Sequence, residues 1–246
     1  MEPKNLNSHL LLSVVLCFFI GFGVQAQNPN NTLQAKIDYA KGDSLYKKRD
    51  FQGAASYYEK AVEVYENSID LLKGLTIRHR LINSQLKLRR LADARRNCLV
   101  MLEKLKELPE PSVTLTAEAM DHMGTLHRFD GKYDSALVQH LAAMNMRLQT
   151  LDSLDPKMSL SYNKIGIAYE KLEQFDRALS YHEKGAQILI GTKGPDTPNL
   201  AVSYANMATI YYHIGRYEKA LELHQKVLRI DRSEERRVGK ECRSRW

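Results

Sequence analysis

Cysteine, tryptophan and proline are scarce in this chain: three, one and seven among 246 residues. Cys17 and Cys242 belong to the two terminal stretches, so Cys98 stands alone in the central chain, and no intrachain disulfide framework is available there. Thirteen glycines and seven prolines are too few for a collagen-like or linker-dominated chain, and 43% apolar residues argue against intrinsic disorder. The signatures of nucleotide and hydrolase chemistry are missing as well. There is no G-x-G-x-x-G, no G-x-x-x-x-G-K-[ST], no G-x-S-x-G and no H-E-x-x-H. No catalytic residue, cofactor or metal is expected, and the chain reads as something other than an enzyme.

A long apolar run is also missing. The only candidate, Leu10–Gly23, covers fourteen residues, against roughly 20 for a comfortable bilayer span. Lys4 precedes it and Val24-Gln25-Ala26 follows with small residues in the A-x-A manner, so residues 1–26 read as a secretory signal cleaved before Gln27. The expected location is therefore the periplasm or the extracellular space, with membrane contact only transient and through that signal, unless a lost C-terminal region spans the membrane. A sequon, Asn30-Asn31-Thr32, is a chance-level match.

The other end, RSEERRVGKECRSRW from Arg232, has no apolar period. It looks like a translated short-read sequencing adaptor, since Arg232–Arg236 can be encoded by AGATCGGAAGAGCGT, and residues 232–246 are read as an artefact. Removing them lowers the charge. The whole chain is formally +7, the tail contributes +3, and 27–231 is left at about +4. A nucleic-acid partner loses its main support.

What remains repeats itself. An alanine recurs at Ala54, Ala94, Ala136, Ala178 and Ala220, at gaps of 40 and then 42 residues. Three positions before each stands Phe51, Leu91, Tyr133, Phe175 or Tyr217, and nine before those come Gly42, Ile82, Gly124, Gly166 and Ala208. Three tracks in one register define a repeat protein of paired amphipathic helices, with a small residue where the two helices cross. Pro109, Pro111, Pro156, Pro195 and Pro198 all fall between units, as they must, since each would cost about 3 kcal/mol inside a helix. Asp155-Pro156 and Thr197-Pro198 read as N-caps followed by proline, and Ser68 as the cap of the second unit. Strands are not expected.

The segments GRYEKALELHQKVLRI and YNKIGIAYEKLEQFDRALSYHEKGAQIL carry the Gly-x-Tyr-x-x-Ala-Leu type of core and resemble tetratricopeptide repeats. The period of 42 is similar to the longer-helix variant of kinesin light chains, and Asn206 fits an asparagine typical of it. The second unit departs most, with Ile82 for the glycine, Gln85 for an aromatic and Met101 for a small residue. The resemblance implies an all-α, right-handed superhelical solenoid of about five antiparallel helix pairs. The expected units are about 35–68, 75–108, 117–150, 159–192 and 201–231, after a linker at 27–34.

His140, His182 and His224 recur at the repeat spacing. Equivalent residues of stacked helices lie at least roughly 8–10 Å apart, too far to share one zinc. These histidines are expected to replace a packing aromatic. Cys98, in the same track, is expected to be a buried thiol. His122 and His127, five apart, share no helix face.

The resemblance also implies that the first helices line a concave binding surface. By motif register its lining is Tyr39, Asp43, Tyr46; His79, Asn83, Leu86; Asp121, Thr125, Arg128; Asn163, Ile167, Glu170; and Ala205, Thr209, Tyr212, each triplet at i, i+4, i+7. Members that grip a C-terminal carboxylate use paired basic residues with asparagine. Asn83 fits, but Tyr39 and Asp121 stand where basic residues are needed, so no such clamp is expected. The expectation is a noncatalytic scaffold binding a protein or peptide. Its rival is the truncated N-terminal sensory region of an envelope signalling protein whose histidine-kinase or helix-turn-helix output domain is lost, favoured by a fifth unit that reaches Asp231 without a polar capping helix.

Overall fold

The computed structural model describes residues 29–67 and 70–243, with side chains described for 31–67 and 70–236. Ten α-helices make up these residues: α1 Pro29–Lys47, α2 Phe51–Glu66, α3 Leu71–Lys87, α4 Leu91–Leu105, α5 Val113–Phe129, α6 Tyr133–Leu148, α7 Met158–Lys171, α8 Phe175–Lys193, α9 Pro198–His213 and α10 Tyr217–Arg243. No strand occurs among the described residues. Successive helices pack in antiparallel pairs, each pair packs on the next, and the first helices also meet their counterparts one unit on, α3 with α5 and α7 with α9. This is the all-α helical solenoid that the period implied.

Five identical turns set the geometry. In each pair the chain leaves the first helix through one residue in the left-handed region: Arg49, Arg89, Gly131, Glu173 and Gly215, with φ between 57° and 76°. The residue after it donates its N–H to the carbonyl five positions back, as in Asp50 to Leu45, Arg90 to Gln85, Lys132 to His127, Gln174 to Tyr169 and Arg216 to Tyr211, at 2.8–3.0 Å. That bond satisfies a carbonyl which the end of the helix would leave orphaned.

The small residues do what their spacing implied. A methyl group added at Gly42, Gly124 or Gly166 would come within 2.7 Å of the ring of Tyr58, His140 or His182 respectively. Each ring thus lies on bare backbone of the first helix. The second unit reverses the sizes. Ile82 replaces the glycine and faces the small Cys98 in one apolar cluster with Leu75, Met101 and Leu126, all fully buried. Gln85 is buried too and accepts from Asn97 Nδ2 at 3.1 Å. A buried pairing of Arg78 with Glu66 and Asn97 ties this unit to the first.

Several local expectations are corrected. α1 begins at Pro29, inside the stretch read as linker, and α10 runs on past Asp231 to Arg243. Thr197 does cap α9, accepting from Leu200 N ahead of Pro198. Asp155 caps nothing helical. Its Oδ1 accepts from Lys157 N at 2.8 Å in a turn, and α7 starts only at Met158. Ser68 lies outside the described residues, and the cap of α3 is Asp70, which accepts from Lys73 N at 2.9 Å. The region 1–26 lies outside them as well. Among the described residues no helix is long and apolar enough to cross a membrane.

Candidate functional site

The inner side of the array is built from a four-residue motif that recurs wherever one unit meets the next. It combines a first-helix residue three before the glycine track, the second-helix ring of the same unit, a second-helix residue seven further on, and a first-helix residue of the following unit. In chain order the four sets are Tyr39, Tyr58, Tyr65, Arg80; His79, Cys98, Leu105, His122; Asp121, His140, Arg147, Lys164; and Asn163, His182, Leu189, Asn206.

The first set is aromatic. Tyr39 and Tyr58 have ring centroids 6.1 Å apart, Tyr58 donates to Asp43 Oδ1 at 2.6 Å, and Arg80 hydrogen-bonds Tyr39 across the junction. Burial, followed by the Asp43 contact, pushes the Tyr58 hydroxyl above its ordinary range.

The second set joins α3 to α5 through two imidazoles. His79 Nδ1 and His122 Nε2 are 3.0 Å apart, Glu118 Oε2 lies 3.1 Å from the same His79 nitrogen, and Asn83 meets His79 Nε2 at 3.0 Å. Burial, with Arg80, Lys164 and Arg147 nearby, lowers His79 to about 4, and burial beside His79 holds His122 well below its ordinary range, so both rings are neutral at pH 7. Burial raises the Glu118 carboxyl. The Cys98 thiol of this set points at Ala119 O, 3.4 Å away, and burial pushes it up to about 12. It is a packing group with almost no thiolate at pH 7.

The third set is ionic. Asp121 is 1% exposed. It accepts from His140 Nδ1 at 2.8 Å on one oxygen, and its other oxygen pairs with Arg147 at 2.7 Å and Lys164 at 2.9 Å. Burial alone would raise this carboxyl. Lys164, the His140 hydrogen bond and Arg147 together hold it well below the usual carboxylate range. Arg147 also donates to Ser161 at 2.8 Å, drawing α7 into the network.

The fourth set is neutral. His182 Nδ1 donates to Asn163 Oδ1 at 2.9 Å, and Asn163 Nδ2 donates to Ser203 Oγ at 2.8 Å. His182 Nε2 faces the Gly166 backbone without a hydrogen-bond partner, and burial lowers this ring to about 4. His140 and His182 thus take the place of Tyr58, as expected. His224 does not: it is exposed on α10, and its unit carries buried Ala208 at the position of Gly42, Gly124 and Gly166.

Two of the fifteen lining residues are corrected by this geometry. Asp121 and Asn163 are buried beneath the surface, because they hold the second-helix ring of their own unit. Tyr46 and Leu86 are half-buried and pack against apolar clusters, Tyr46 edge-on to Phe51 at 5.2 Å. Thr125 and Thr209 bond their own helix at Asp121 O and Ala205 O. Tyr39, Asp43, His79, Asn83, Ile167 and Ala205 are half-buried along the face, and Tyr212 is open to solvent. Arg128 lies 4.5 Å over the Phe129 ring, which Arg89 also covers, and Glu170 pairs with Lys171. Sequence reasoning missed Arg80, Glu118, Arg147 and Lys164, and set His122 aside as sharing no helix face with His127. Arg80, His122 and Lys164 do recur at the repeat spacing, a track that the i, i+4, i+7 triplets stepped over.

Side chains that bridge one unit to the next, as His79 to His122, Asp121 to Lys164 and Asn163 to Ser203, define the class: a stacked array of helical repeats. Sequence models of the tetratricopeptide repeat match residues 35–68 and 157–233, so the chain contains tetratricopeptide repeats. No curated protein matches its sequence. Among solved structures it is similar to a Rap protein complexed with competence and sporulation factor, at 14% identity and TM-score 0.72 over 92% of this chain and 66% of that one. It is also similar to aspartyl phosphate phosphatase F from Bacillus subtilis, at 17% identity and TM-score 0.67, covering 95% of this chain and 57% of the other. A putative kinesin light chain of Podosopora anserina with nearly identical TPR-like repeats aligns at 18% identity and TM-score 0.57, over 82% and 96%. These likenesses establish the fold.

Proposed function

We propose that this protein is a noncatalytic scaffold, exported from the cell, that binds a protein segment or extended peptide along its inner face. One observation carries the reading: side chains that can hydrogen-bond, among them Tyr39, His79, Asn83 and Tyr212, keep part of their surface open along that face, while Leu75, Leu81, Ile82, Leu126, Ile165, Leu200 and Ile210 of the first helices are buried. A packed solenoid has no structural need of a polar wall beyond solvation, and spaced donors and acceptors suit a backbone laid across several units. Support also comes from the Rap protein of the same fold, which is complexed with competence and sporulation factor.

A displayed library of random peptides, panned against the full chain, tests this reading. Selected peptides should bind the wild type and lose at least about tenfold, or about 1.4 kcal/mol, when Asn83→Trp and Thr209→Trp fill the face. Peptides that bind both forms equally would overturn the reading. Export is tested separately by the N-terminus of the protein made in a secreting host: Gln27 as the first residue supports it, and an intact Met1 form retained in the cytosol sinks it.

A further inference from the structure

The turns that join the two helices of each unit lie side by side along one edge of the array. Leu88, in the second turn, packs against the same apolar cluster as Leu45 and Tyr46 at the first, and Arg95 pairs with Asp130 of the third turn at 2.7 Å. In the first two units this edge is basic. Lys47, Lys48, Arg49, Lys87 and Arg89 are exposed there, and none of them pairs with a carboxylate among the described residues. Arg90, Arg95 and Arg96 extend the patch onto the start of α4, where they hold Asp93, Asp130 and, at 3.8 Å, Glu59. Asp50 is engaged as the cap of α2. These eight basic residues outnumber the four carboxylates by as much as the whole net charge of 27–231, about +4. Later turns are nearly balanced. Lys132 is offset by Asp134, Arg128 lies near Glu170, Lys171 and Arg177 stand with Glu173 and Asp176, and Arg216 and Lys219 with Glu218.

Helix chemistry explains little of this. Lys47 and Lys87 suit the C-terminal ends of α1 and α3. Arg49 and Arg89, however, occupy the left-handed position that Gly131 and Gly215 take in other units, where a side chain is strained. Arg90 stands at the N-cap of α4 without a side-chain capping bond, and Arg95 and Arg96 follow near a helix start, which favours acidic residues. Strain and unfavourable charge placement retained together at one edge point to a use outside the fold.

We infer that this edge docks on the surface of a bilayer that carries anionic phospholipids. Charge and shape select this occupant. The cations sit on tight backbone reversals, which are convex tips set side by side by the stacking of units, and a plane of phosphate groups touches them all at once. An acidic peptide needs a groove, and the groove of this array is the inner face, which the first helices line. Each cation near an anionic lipid surface strengthens partitioning by about fivefold. An excess of four therefore gives reversible docking that salt weakens. The contact is separate from the transient one expected of residues 1–26. It leaves the inner face open and is independent of what that face binds.

Co-sedimentation of the full chain with lipid vesicles tests it. The wild type should bind phosphatidylcholine vesicles containing about 30% phosphatidylglycerol far more tightly than vesicles of phosphatidylcholine alone, and added salt should release it. Lys48→Gln, Arg49→Gly, Lys87→Gln and Arg89→Gly combined should weaken binding to the anionic vesicles by at least about a hundredfold. Glycine fits both left-handed positions, so this variant should keep the wild-type circular-dichroism spectrum. Lys36→Gln, Lys60→Gln, Lys157→Gln and Lys193→Gln combined remove the same charge from exposed sites elsewhere and should bind nearly as the wild type does. Residues 1–26 and 232–246 are common to all three forms, so the differences among them report the edge. The inference is overturned by equal binding to the two kinds of vesicle or by an equal loss in the two variants. It is overturned as well by a wild type that ignores vesicles and binds poly-glutamate through the same four residues, which would make the occupant an acidic protein segment.

Discussion

The third and fourth junctions use the same backbone geometry to hold a histidine and reach opposite electrostatic solutions. In both, a second-helix imidazole lies on a first-helix glycine and gives its Nδ1 to a side chain three residues before that glycine. At the third junction the acceptor is Asp121, and Arg147 and Lys164 converge on its free oxygen. At the fourth it is Asn163, and the positions of Arg147 and Lys164 are held by Leu189 and Asn206. A buried carboxylate needs counter-charges and a buried amide does not, so three positions in each unit differ together. The helix pair fixes where the ring sits, and the neighbouring unit decides whether its partner can be charged.

Removing the acceptor should separate the two junctions most. Asp121→Ala leaves Arg147 and Lys164 facing each other without their carboxylate and should cost about 3–5 kcal/mol. Asn163→Ala, which strands only neutral partners, should cost about 1–3 kcal/mol. Equal shifts in urea midpoint would erase the distinction.

Next in size is the contact the junctions share. Gly166→Leu drives a side chain into His182 and should cost about 3 kcal/mol, whereas Gly191→Ala, on the same unit but with nothing within 4 Å, should stabilise α8 by up to about 1 kcal/mol. An unchanged melting transition for Gly166→Leu would refute the register.

The pH dependence sharpens the comparison further. His79 and His182 are lowered to about 4 in the folded chain, against about 6.5 unfolded. Between those values the unfolded chain binds the extra protons, so stability falls as pH drops from about 6.5 to about 4, by about 1.4 kcal/mol per unit for each such ring. His182→Tyr, which copies the Tyr58 arrangement, should flatten that slope in urea titrations at pH 5 and 7, and an identical slope would place the lost protons elsewhere. Asp121 works in a different window. Its depressed carboxyl contributes stability that is present above the ordinary aspartate range and lost only in stronger acid.

The smallest effect concerns the turns. Glu173 adopts φ 57° where Gly131 and Gly215 serve in neighbouring units. Glu173→Gly should relieve about 1 kcal/mol of left-handed strain and raise the melting temperature, while Gly215→Glu should lower it. A destabilised Glu173→Gly would show that the glutamate earns its place by a contact.

Most of the architecture could be read without coordinates, because helix pairing here is local. Ala178 and Phe175 mark the start of α8, Pro198 the start of α9, and Gly166 the crossing, and each acts within one unit or its connection. Even the second unit followed its spacing, since Ile82 and Cys98 exchange bulk across one pair. The inner face was less legible. Asp121 and Asn163 sit at lining positions by register, yet both turn inward once His140 and His182 offer a donor. His79 and His122, 43 residues apart, meet only because α3 and α5 touch directly.

By itself, then, the sequence determined the period, the small-residue crossings, the proline-marked boundaries and the all-α class, all consequences of contacts a few residues to one helix pair apart. The tertiary structure alone decided which polar groups are buried and which charges meet. Those outcomes depend on how one unit is stacked on the next, an angle set by many side chains at once and written in no single motif.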